Sequence, residues 1–379
     1  MLPNKLHRKI GNRHFDGSLR GLKQTSGLVD FASNDYLSFA RNAAVVHTPA
    51  SGATGSRLLS GNSPRHEELE KKIAGFHNSG AALLFNSGYD ANLGLLSSIA
   101  DRHDLIIYDE LVHASIRDGI LLSKAKSLKF KHNDLAHLKI LINKFQEWEN
   151  RVVYVVTESI FSMDGDQPDL LGMLGLVNLH PNVRLIVDEA HAIGIIGKKG
   201  EGLVSVLGVE NQIFARVITF GKSMGAHGAA IVGDEYLKEY LINFARSFIY
   251  TTALPGHTIA SVINSYEKLA AGDPAVDKIK GNIAIFKKLL CQSGLKQGVG
   301  RFRFRESATP IQICIIPNNF LAQEAARYLQ SMGYDVRAIL SPTVPAGQER
   351  LRICLHAHNT KKEMKSMLTY LKEFLKNHV

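Results

Sequence analysis

Short apolar runs that recur between helix-length segments constrain this chain more than any other feature. Each run is five or six residues long, and the runs lie at 81–85, 104–108, 152–157, 184–188, 216–220 and 229–233. Strands that alternate with helices form a mainly parallel sheet wrapped by helices. Because these runs are almost wholly apolar, both sheet faces should be buried, with amphipathic stretches at 66–77 and 135–145 packing on them. The sequence therefore predicts a large α/β domain.

The pattern changes after about residue 265. A long helical stretch comes first, a charged helix at 361–376 closes the chain, and between them lie apparent strands near 311–316, 335–339 and 351–355. This grouping is typical of a smaller α+β domain. With 379 residues, 45% of them hydrophobic, the chain can bury more than one core. We predict an N-terminal segment at 1–45, a large α/β domain at 46–265 and a small C-terminal α+β domain at 266–379.

Composition argues against several classes of protein. No apolar run approaches the roughly 20 residues of a membrane-spanning helix, and no secretory signal is recognisable, so we expect a cytoplasmic protein without a membrane partner. The net charge of +10 is spread along the chain. It suits a phosphate-bearing substrate without predicting a nucleic-acid partner. Cys291, Cys314 and Cys354 lack a metal-binding spacing, so we expect reduced core residues and no metal.

Polar residues follow the apolar runs. Ligands of open parallel sheets bind beyond the carboxyl ends of the strands. After the first run, Gly88 and Tyr89 open a predicted helix, whose free N–H groups and dipole suit a phosphate. Six further polar candidates follow later runs, namely His113, Ser162, Asp188, His191, Thr219 and Lys222. We expect all of them at one edge of the sheet.

Two motifs resemble those of a nucleotide-driven helicase. LIVDEAH at 185–191 looks like an acidic box, and GKS at 221–223 looks like the end of a phosphate-binding loop. That loop needs a glycine where this chain has Arg216, and it should precede the acidic box. We therefore reject the helicase interpretation.

Lys222 and Asp188 together favour an aldehyde cofactor with a pyridine ring. A lysine after a buried strand, in a glycine-rich turn, suits an imine, although a surface lysine is the simpler reading of its position alone. A buried unpaired carboxylate is costly, and a protonated pyridine nitrogen would neutralise Asp188. A helix cap or a structural ion pair is the alternative for Asp188.

An ordered set of motifs resembles the α-oxoamine synthases, a family of pyridoxal-phosphate enzymes. The motifs are SNDYL at 33–37, GSRLLSGN at 55–62, ESIFSMDGD at 158–166, VDEAH at 187–191, TFGKSMGAHGAA at 219–230, FARSFIYTTALP at 244–255 and PTVPAGQERLRI at 342–353. They cover nearly the whole chain. The resemblance implies the aminotransferase-like fold (fold type I), with a mainly parallel seven-stranded sheet.

The resemblance also implies roles around the cofactor ring. Lys222 would hold pyridoxal 5'-phosphate as an imine and later act as the base that removes the α-proton of the amino acid. Asp188 would pair with the pyridine nitrogen. His191 and Ser162 would contact the phenolic oxygen. His113 would stack on the ring face and border the substrate. The implied catalytic residues are Lys222, His113 and Asp188.

The implied phosphate site uses both subunits of a homodimer. Gly88, Tyr89 and Thr219 would hold the phosphate, helped by Thr251 or Thr252 of the partner subunit. Active sites of this family lie at the subunit interface, so a homodimer is implied. The N-terminal segment would pack on the dimer and on the substrate entrance.

The implied substrate pocket contains Arg352, which would bind the amino-acid carboxylate, together with Asn34, Thr343 and Arg20. Within the family, the motifs most resemble those of the enzyme that condenses L-alanine with a pimeloyl thioester and releases CO2 and thiol. The acyl carrier would be coenzyme A or acyl carrier protein. Sister synthases that use glycine or serine, an ordinary aminotransferase and a catalytically silent subunit remain the alternatives.

Overall fold

A computed structural model describes residues 3–21, 27–42, 52–144 and 151–379. The helices in these ranges are α1 (Asn4–Phe15), α2 (Pro64–Phe76), α3 (Gly88–Ile99), α4 (Ala114–Leu122), α5 (Leu135–Asn143), α6 (Leu170–Val177), α7 (Leu203–Leu207), α8 (Glu235–Phe244), α9 (Arg246–Ile249), α10 (Gly256–Ala270), α11 (Pro274–Gln292), α12 (Asn319–Ser331) and α13 (Lys361–Lys376). Within the described ranges, none of these helices is long and apolar enough to span a membrane.

The strands in the same ranges are β1 (Val29–Asp30), β2 (Ala81–Phe85), β3 (Leu105–Asp109), β4 (Lys126–Phe130), β5 (Val153–Glu158), β6 (Val183–Asp188), β7 (Ala215–Thr219), β8 (Ala229–Gly233), β9 (Arg303–Phe304), β10 (Ile311–Ile315), β11 (Tyr334–Asp335), β12 (Arg337–Ile339) and β13 (Arg350–Cys354). Single 3-10 turns occur at Glu210–Gln212 and Leu295–Gln297.

The chain divides into two compact units. The small unit comprises Met1–Tyr36, Met163–Asp166 and Lys278–Val379, and the large unit comprises Leu37–Ser162 and Gln167–Asp277. The three-part division expected from the sequence stays a prediction. Its first boundary, between residues 45 and 46, lies outside the described residues.

The large unit is built on a seven-stranded sheet in the order β2-β8-β7-β6-β5-β3-β4. The pairs from β7 through β6, β5 and β3 to β4 are parallel, whereas β8 is antiparallel to both β7 and β2. The six apolar runs correspond to β2, β3, β5, β6, β7 and β8, so the predicted mainly parallel sheet is confirmed. The run pattern misses β4, because this edge strand buries only Phe130 of its five residues.

Hydrophobic clusters cover both faces of this sheet. In β5, Tyr154 and Val156 belong to the cluster that includes residues of α3, α4 and α8. Val153 and Val155 belong to the cluster that includes residues of α5 and α6. Successive strand side chains point to opposite faces, so an uninterrupted apolar run supplies both cores.

The small unit contains an antiparallel sheet in the order β12-β13-β10-β9 and a parallel pair, β1 with β11. Helix α13 has the predicted limits, and its first turn is fixed by a capping box of Thr360 and Glu363. Cys314 and Cys354 are buried. The expectation of a core position is wrong for Cys291, which is exposed in the last turn of α11.

Candidate active site

Asp188, the last residue of β6, is a buried carboxylate held by neutral donors. Its Oδ1 accepts a hydrogen bond from the Ala190 N–H at 2.9 Å, and its Oδ2 accepts one from Asn92 Nδ2 at 2.8 Å. The side chain is 6% exposed. Neither donor carries a charge, so the carboxylate is positioned by these bonds without being neutralised by them. A cation placed against it would be stabilised strongly.

Lys222 lies in a tight turn that follows β7. The turn is closed by hydrogen bonds from Phe220 N–H to Gly228 O and from Gly225 N–H to Lys222 O, both at 2.9 Å. Gly225 has a φ of +61°, and a Cβ there would lie 2.1 Å from the Ala40 nitrogen. Only glycine fits this position. The turn therefore fixes the half-buried Lys222 at the carboxyl end of β7.

His113 caps α4, and burial and the charges of Asp188 and Lys222 all shift its pKa. The Ser115 N–H donates to His113 Nδ1 at 3.2 Å, so the neutral ring carries its proton on Nε2. Although part of the residue is exposed, the surrounding protein displaces enough water to lower the pKa of His113. Lys222 lowers this pKa further, and Asp188 opposes the shift. The structure thus brings both Asp188 and Lys222 within electrostatic reach of His113.

Glu158 is a buried acid of this site that the sequence reasoning missed. It lies beside Asp188 in the register of β5 and β6, and its Oε1 accepts a hydrogen bond from the His113 N–H at 2.5 Å. Burial, followed by repulsion from Asp188, raises the pKa of Glu158 well above its ordinary value. Its position at the head of the 158–166 motif was the available signal. Asn92 was also missed, although it lies one helical turn after Gly88.

The first turn of α3 forms a cradle against the end of β7. A Cβ on Gly88 would lie 2.5 Å from Thr219 Cγ2, so glycine permits this close approach. Ser87 Oγ accepts the Asp90 N–H at 3.0 Å, and the geometry of a helix start leaves the N–H groups of Gly88 and Tyr89 without intrahelical acceptors. Such a cradle suits a phosphate. The Tyr89 hydroxyl donates to Asp118.

Thr251 and Thr252 lie beside the residue that leads into α3. Asn86 Nδ2 donates to Thr251 Oγ1 at 2.8 Å and to Thr252 O at 2.9 Å. Their predicted contact with the cofactor of the other subunit stays a prediction.

Ser162 and His191 belong to the same unit. His191 is buried three residues after Asp188, and Ser162 is half-buried four residues after Glu158. The ends of β5 and β6 are tied by a hydrogen bond from Ser159 N–H to Asp188 O at 2.9 Å. The predicted contacts of His191 and Ser162 with a phenolic oxygen stay predictions.

The remaining four candidates belong to the small unit, where they form two pairs. Arg352, on β13, is buried and donates from Nη2 to Asn34 Oδ1 at 3.0 Å. The Tyr36 hydroxyl donates to the same oxygen at 3.0 Å, and burial raises its pKa, so it stays protonated. Tyr36, which the sequence reasoning missed, lies in the SNDYL motif. Arg20 Nη2 donates to Thr343 Oγ1 at 3.4 Å, and both residues are exposed.

Comparisons with known proteins agree on one group of enzymes. Residues 26–371 match the family model described as aminotransferase class I and II. An 8-amino-7-oxononanoate synthase from Emericella nidulans is 40% identical in an alignment 382 positions long that covers 92% of this chain and 90% of the relative.

Solved structures show the same similarity. A variant of serine palmitoyltransferase from S. paucimobilis, with bound pyridoxal phosphate and myriocin, is 25% identical with a TM-score of 0.86, covering 98% of this chain and 96% of that one. The 8-amino-7-oxononanoate synthase from Francisella tularensis is 29% identical with a TM-score of 0.77, covering 93% and 98%.

Proposed function

This chain belongs to the aminotransferase class I and II family and, within it, to the α-oxoamine synthases, and from that premise we propose that it condenses L-alanine with a pimeloyl thioester. The products are 8-amino-7-oxononanoate, CO2 and free thiol, within biotin biosynthesis. The enzyme is an acyltransferase that depends on pyridoxal phosphate. The choice of substrates is supported by the 40% identity to the Emericella nidulans synthase.

The residues present fit pyridoxal phosphate. The cradle at Gly88 and Thr219 suits its phosphate. The buried carboxylate of Asp188, which accepts the two hydrogen bonds described above from neutral N–H groups, suits its pyridinium nitrogen. When bound, the cofactor supplies an aldehyde that reacts with amines and a ring that accepts electrons from the α-carbon. Lys222 is the residue that would hold it covalently.

The observation that carries the proposed chemistry is the placement of Asp188 at the end of β6 and of Lys222 just after the neighbouring strand β7, with His113 within electrostatic reach of both. Asp188 would pair with the ring nitrogen and favour its protonated form, which makes the ring a better electron acceptor. With the cofactor and amino acid bound, Lys222 Nζ would be the base that takes the α-proton and the acid that returns a proton to the product. His113, neutral at its lowered pKa, presents an uncharged ring for stacking.

We assign Glu158 an indirect role in this chemistry, through its hydrogen bond with His113. Burial and repulsion from Asp188 raise the pKa of Glu158 well above its ordinary value, which disfavours a second negative charge beside Asp188. Glu158 Oε1 still accepts the His113 N–H and fixes the start of α4. Glu158 is therefore a positioning residue for His113.

Recognition of the amino acid is assigned to the small unit. The Arg352 guanidinium would bind the carboxylate, because its planar group of donors matches two carboxylate oxygens. Asn34 and Tyr36 orient Arg352, whose Nη2 donates to Asn34 Oδ1 at 3.0 Å and to the Tyr36 hydroxyl oxygen at 3.4 Å. Arg20 and Thr343, which contact each other, would border the acyl group.

We further propose a cytoplasmic homodimer in which Thr251 or Thr252 of the partner subunit contacts the phosphate. The similarity to α-oxoamine synthases supports this assembly. The acyl carrier would be coenzyme A or acyl carrier protein, and the net charge of +10 suits either.

Thiol release by the cofactor-loaded protein tests this function. Pimeloyl-CoA, acetyl-CoA and palmitoyl-CoA are each paired with L-alanine, glycine and L-serine. We expect the highest kcat/KM for L-alanine with pimeloyl-CoA. A preference for L-serine with palmitoyl-CoA, or glycine with acetyl-CoA, would establish the alternative, a sister α-oxoamine synthase, which the similarity to serine palmitoyltransferase supports. Amino-group transfer without thiol release would instead indicate an aminotransferase.

A further inference from the structure

The small unit buries a histidine, His356, that has no role in the proposed reaction. It follows β13 by two residues and is 0% exposed. Its Nε2 lies 3.1 Å from Ser33 O and 3.1 Å from Ser33 Oγ. Because a carbonyl oxygen can only accept, Nε2 carries a proton and donates it to Ser33. A buried donor of this kind fixes the backbone position that satisfies it.

Two buried asparagines fix the backbone that carries His356. The His356 N–H donates to Asn359 Oδ1 at 2.8 Å. Asn282 Nδ2 donates to His356 O at 2.8 Å and to Asn359 O at 2.9 Å. Asn359 Nδ2 donates in turn to Asp30 O at 3.1 Å. His356 therefore has a defined position relative to the end of β1.

The segment at residues 30–36 depends on these contacts, because only its first residue belongs to a strand. Asp30 Oδ1 accepts the N–H groups of Ala32 and Ser33, each at 2.9 Å. Further along, the Ala357 N–H donates to Tyr36 O at 2.7 Å. Individual side-chain and backbone contacts, rather than a continuous β-ladder, thus hold this segment.

The same segment carries the residues that contact Arg352. Asn34 follows Ser33 directly, and its Oδ1 accepts hydrogen bonds from both Arg352 and Tyr36. We infer that His356 is a positioning residue for the amino-acid carboxylate site, acting through Ser33 and Asn34 on Arg352. This inference rests on the proposed role of Arg352 in the synthase reaction.

A metal ion is the competing explanation for the same cluster. Asp30, His356 and His358 each offer one ligand atom, and these atoms lie within 4.8 Å of one another. Yet ligation through His356 Nε2 would require loss of the proton that Ser33 O accepts. The Asp30 carboxylate also already accepts hydrogen bonds from Ala32 and Ser33, including one from Ser33 Oγ at 2.7 Å. Hydrogen bonds within the chain account for the cluster without an ion.

Two variants of His356 test the inference in the cofactor-loaded full-length protein. We expect His356→Leu, which removes the donor, to raise the KM for the amino acid by about tenfold. Both kcat and the KM for the thioester should stay within about twofold, because the chemistry is assigned to other residues. His356→Gln retains an N–H donor at the end of a more flexible side chain and should recover part of the loss.

A matched control is His77→Leu. His77 is also 0% exposed, but it lies in the large unit, where its Nε2 is 2.9 Å from the Tyr266 hydroxyl oxygen. We expect this variant to lower the melting temperature without changing the KM for the amino acid. The contrast separates a specific positioning effect from a general loss of packing.

Several outcomes would overturn the inference. One is an unchanged amino-acid KM in His356→Leu after correction for the cofactor-loaded fraction. Another is a stoichiometric metal in the purified protein whose chelation reproduces the KM effect. If His356→Leu does not fold, an unchanged KM in His356→Gln is the contradicting result.

Failure of the inference differs from failure of the proposed function. If the wild-type protein releases no thiol with any substrate pair, the function is wrong. The amino-acid dissociation constant, followed through the cofactor absorbance, would then test His356. If the wild-type protein is active and only the KM shift is missing, the inference alone fails.

Discussion

The two groups of candidate residues are held in place by different means. In the large unit, Asp188 and Glu158 come from the ends of neighbouring parallel strands, and Lys222 follows the end of the next strand. In the small unit, Arg352 and Asn34 are 318 positions apart in sequence and are joined by a side-chain hydrogen bond. Strand register sets the positions of the large-unit residues assigned to catalysis. Individual hydrogen bonds set the position of the Arg352 guanidinium, which is assigned to binding the amino-acid carboxylate. Substitution of Lys222 or Asp188 in the large unit should therefore lower kcat, and substitution of Arg352 in the small unit should raise the KM for the amino acid.

The largest effect is expected for Lys222→Ala. Loss of both the covalent anchor and the base should lower kcat by about 10⁴-fold and abolish the cofactor's imine absorbance. Thiol release and absorbance spectra measure the two consequences. Lys198→Ala is the control, because Lys198 lies in a different glycine-containing turn and should be dispensable. Retention of substantial activity in Lys222→Ala would refute the assignment.

Asp188→Asn should come next. The substitution keeps the shape but removes the charge that maintains the protonated ring nitrogen, so kcat should fall by roughly 10²- to 10³-fold. In the wild type, Asn92 Nδ2 donates to Asp188 Oδ2 at 2.8 Å. In the variant, the side-chain NH2 group of the new asparagine can face this donor, and the hydrogen bond is then lost. Steady-state kinetics with saturating cofactor measures the effect. A change confined to the KM for the amino acid would contradict the division of roles between the units.

Arg352→Lys tests the role assigned to the small unit. Lysine keeps the charge but lacks the planar group of donors, so the KM for the amino acid should rise roughly 10- to 100-fold. We expect kcat to change by no more than a few-fold. Initial rates over a range of amino-acid concentrations separate the two parameters. An equal fall of kcat at unchanged KM would place Arg352 in the chemistry instead.

Gly88→Ala, a substitution in the large unit, should have a smaller effect than the three preceding substitutions. The new methyl group would lie 2.5 Å from Thr219 Cγ2, and relief of that overlap should weaken cofactor binding about tenfold. Titration of the apoprotein with pyridoxal phosphate measures the affinity. Gly75→Ala is the matched control in α2, since no heavy atom lies within 4 Å of its added Cβ. Equal affinities for pyridoxal phosphate in the two variants would show that Gly88 has no role in binding the phosphate.

Glu158→Gln should produce the smallest effect, one that depends on pH. The pKa of Glu158 is raised in the folded state, so ionisation of the unfolded chain lowers stability as the pH rises above about 4.5. Glutamine mimics the protonated form and escapes this loss. The variant should therefore melt about 2–4 °C higher than the wild type at pH 8 and equally at pH 4. A lower melting temperature at pH 8 would show that Glu158 is ionised in the fold.

The sequence predicted the large unit well because its signals are local. Buried strands appear as apolar runs, and the residues that follow them, such as Asp188 and Lys222, are found at the strand ends in the structure. The exposed edge strand β4 gives no such run. Glu158 was missed because its significance depends on lying beside Asp188 across two strands, which no single run displays.

The small unit was less predictable because its contacts join distant parts of the chain. The resemblance named Arg352 and Asn34, but their direct hydrogen bond was not foreseen. Tyr36, which supports them, lies in the SNDYL motif, but the motif does not show its contact with Asn34, and no local pattern marks His356. Their positions depend on contacts between residues about 320 positions apart, such as that between Ser33 and His356.

Identification of the lysine that carries the cofactor tests the central assignment most directly. The cofactor-loaded protein is reduced with borohydride, which makes the imine permanent, and its peptides are analysed by mass spectrometry. The expected result is a single modified lysine, Lys222, in the peptide that follows β7. Modification of another lysine, or of none, would contradict the active site described for this enzyme.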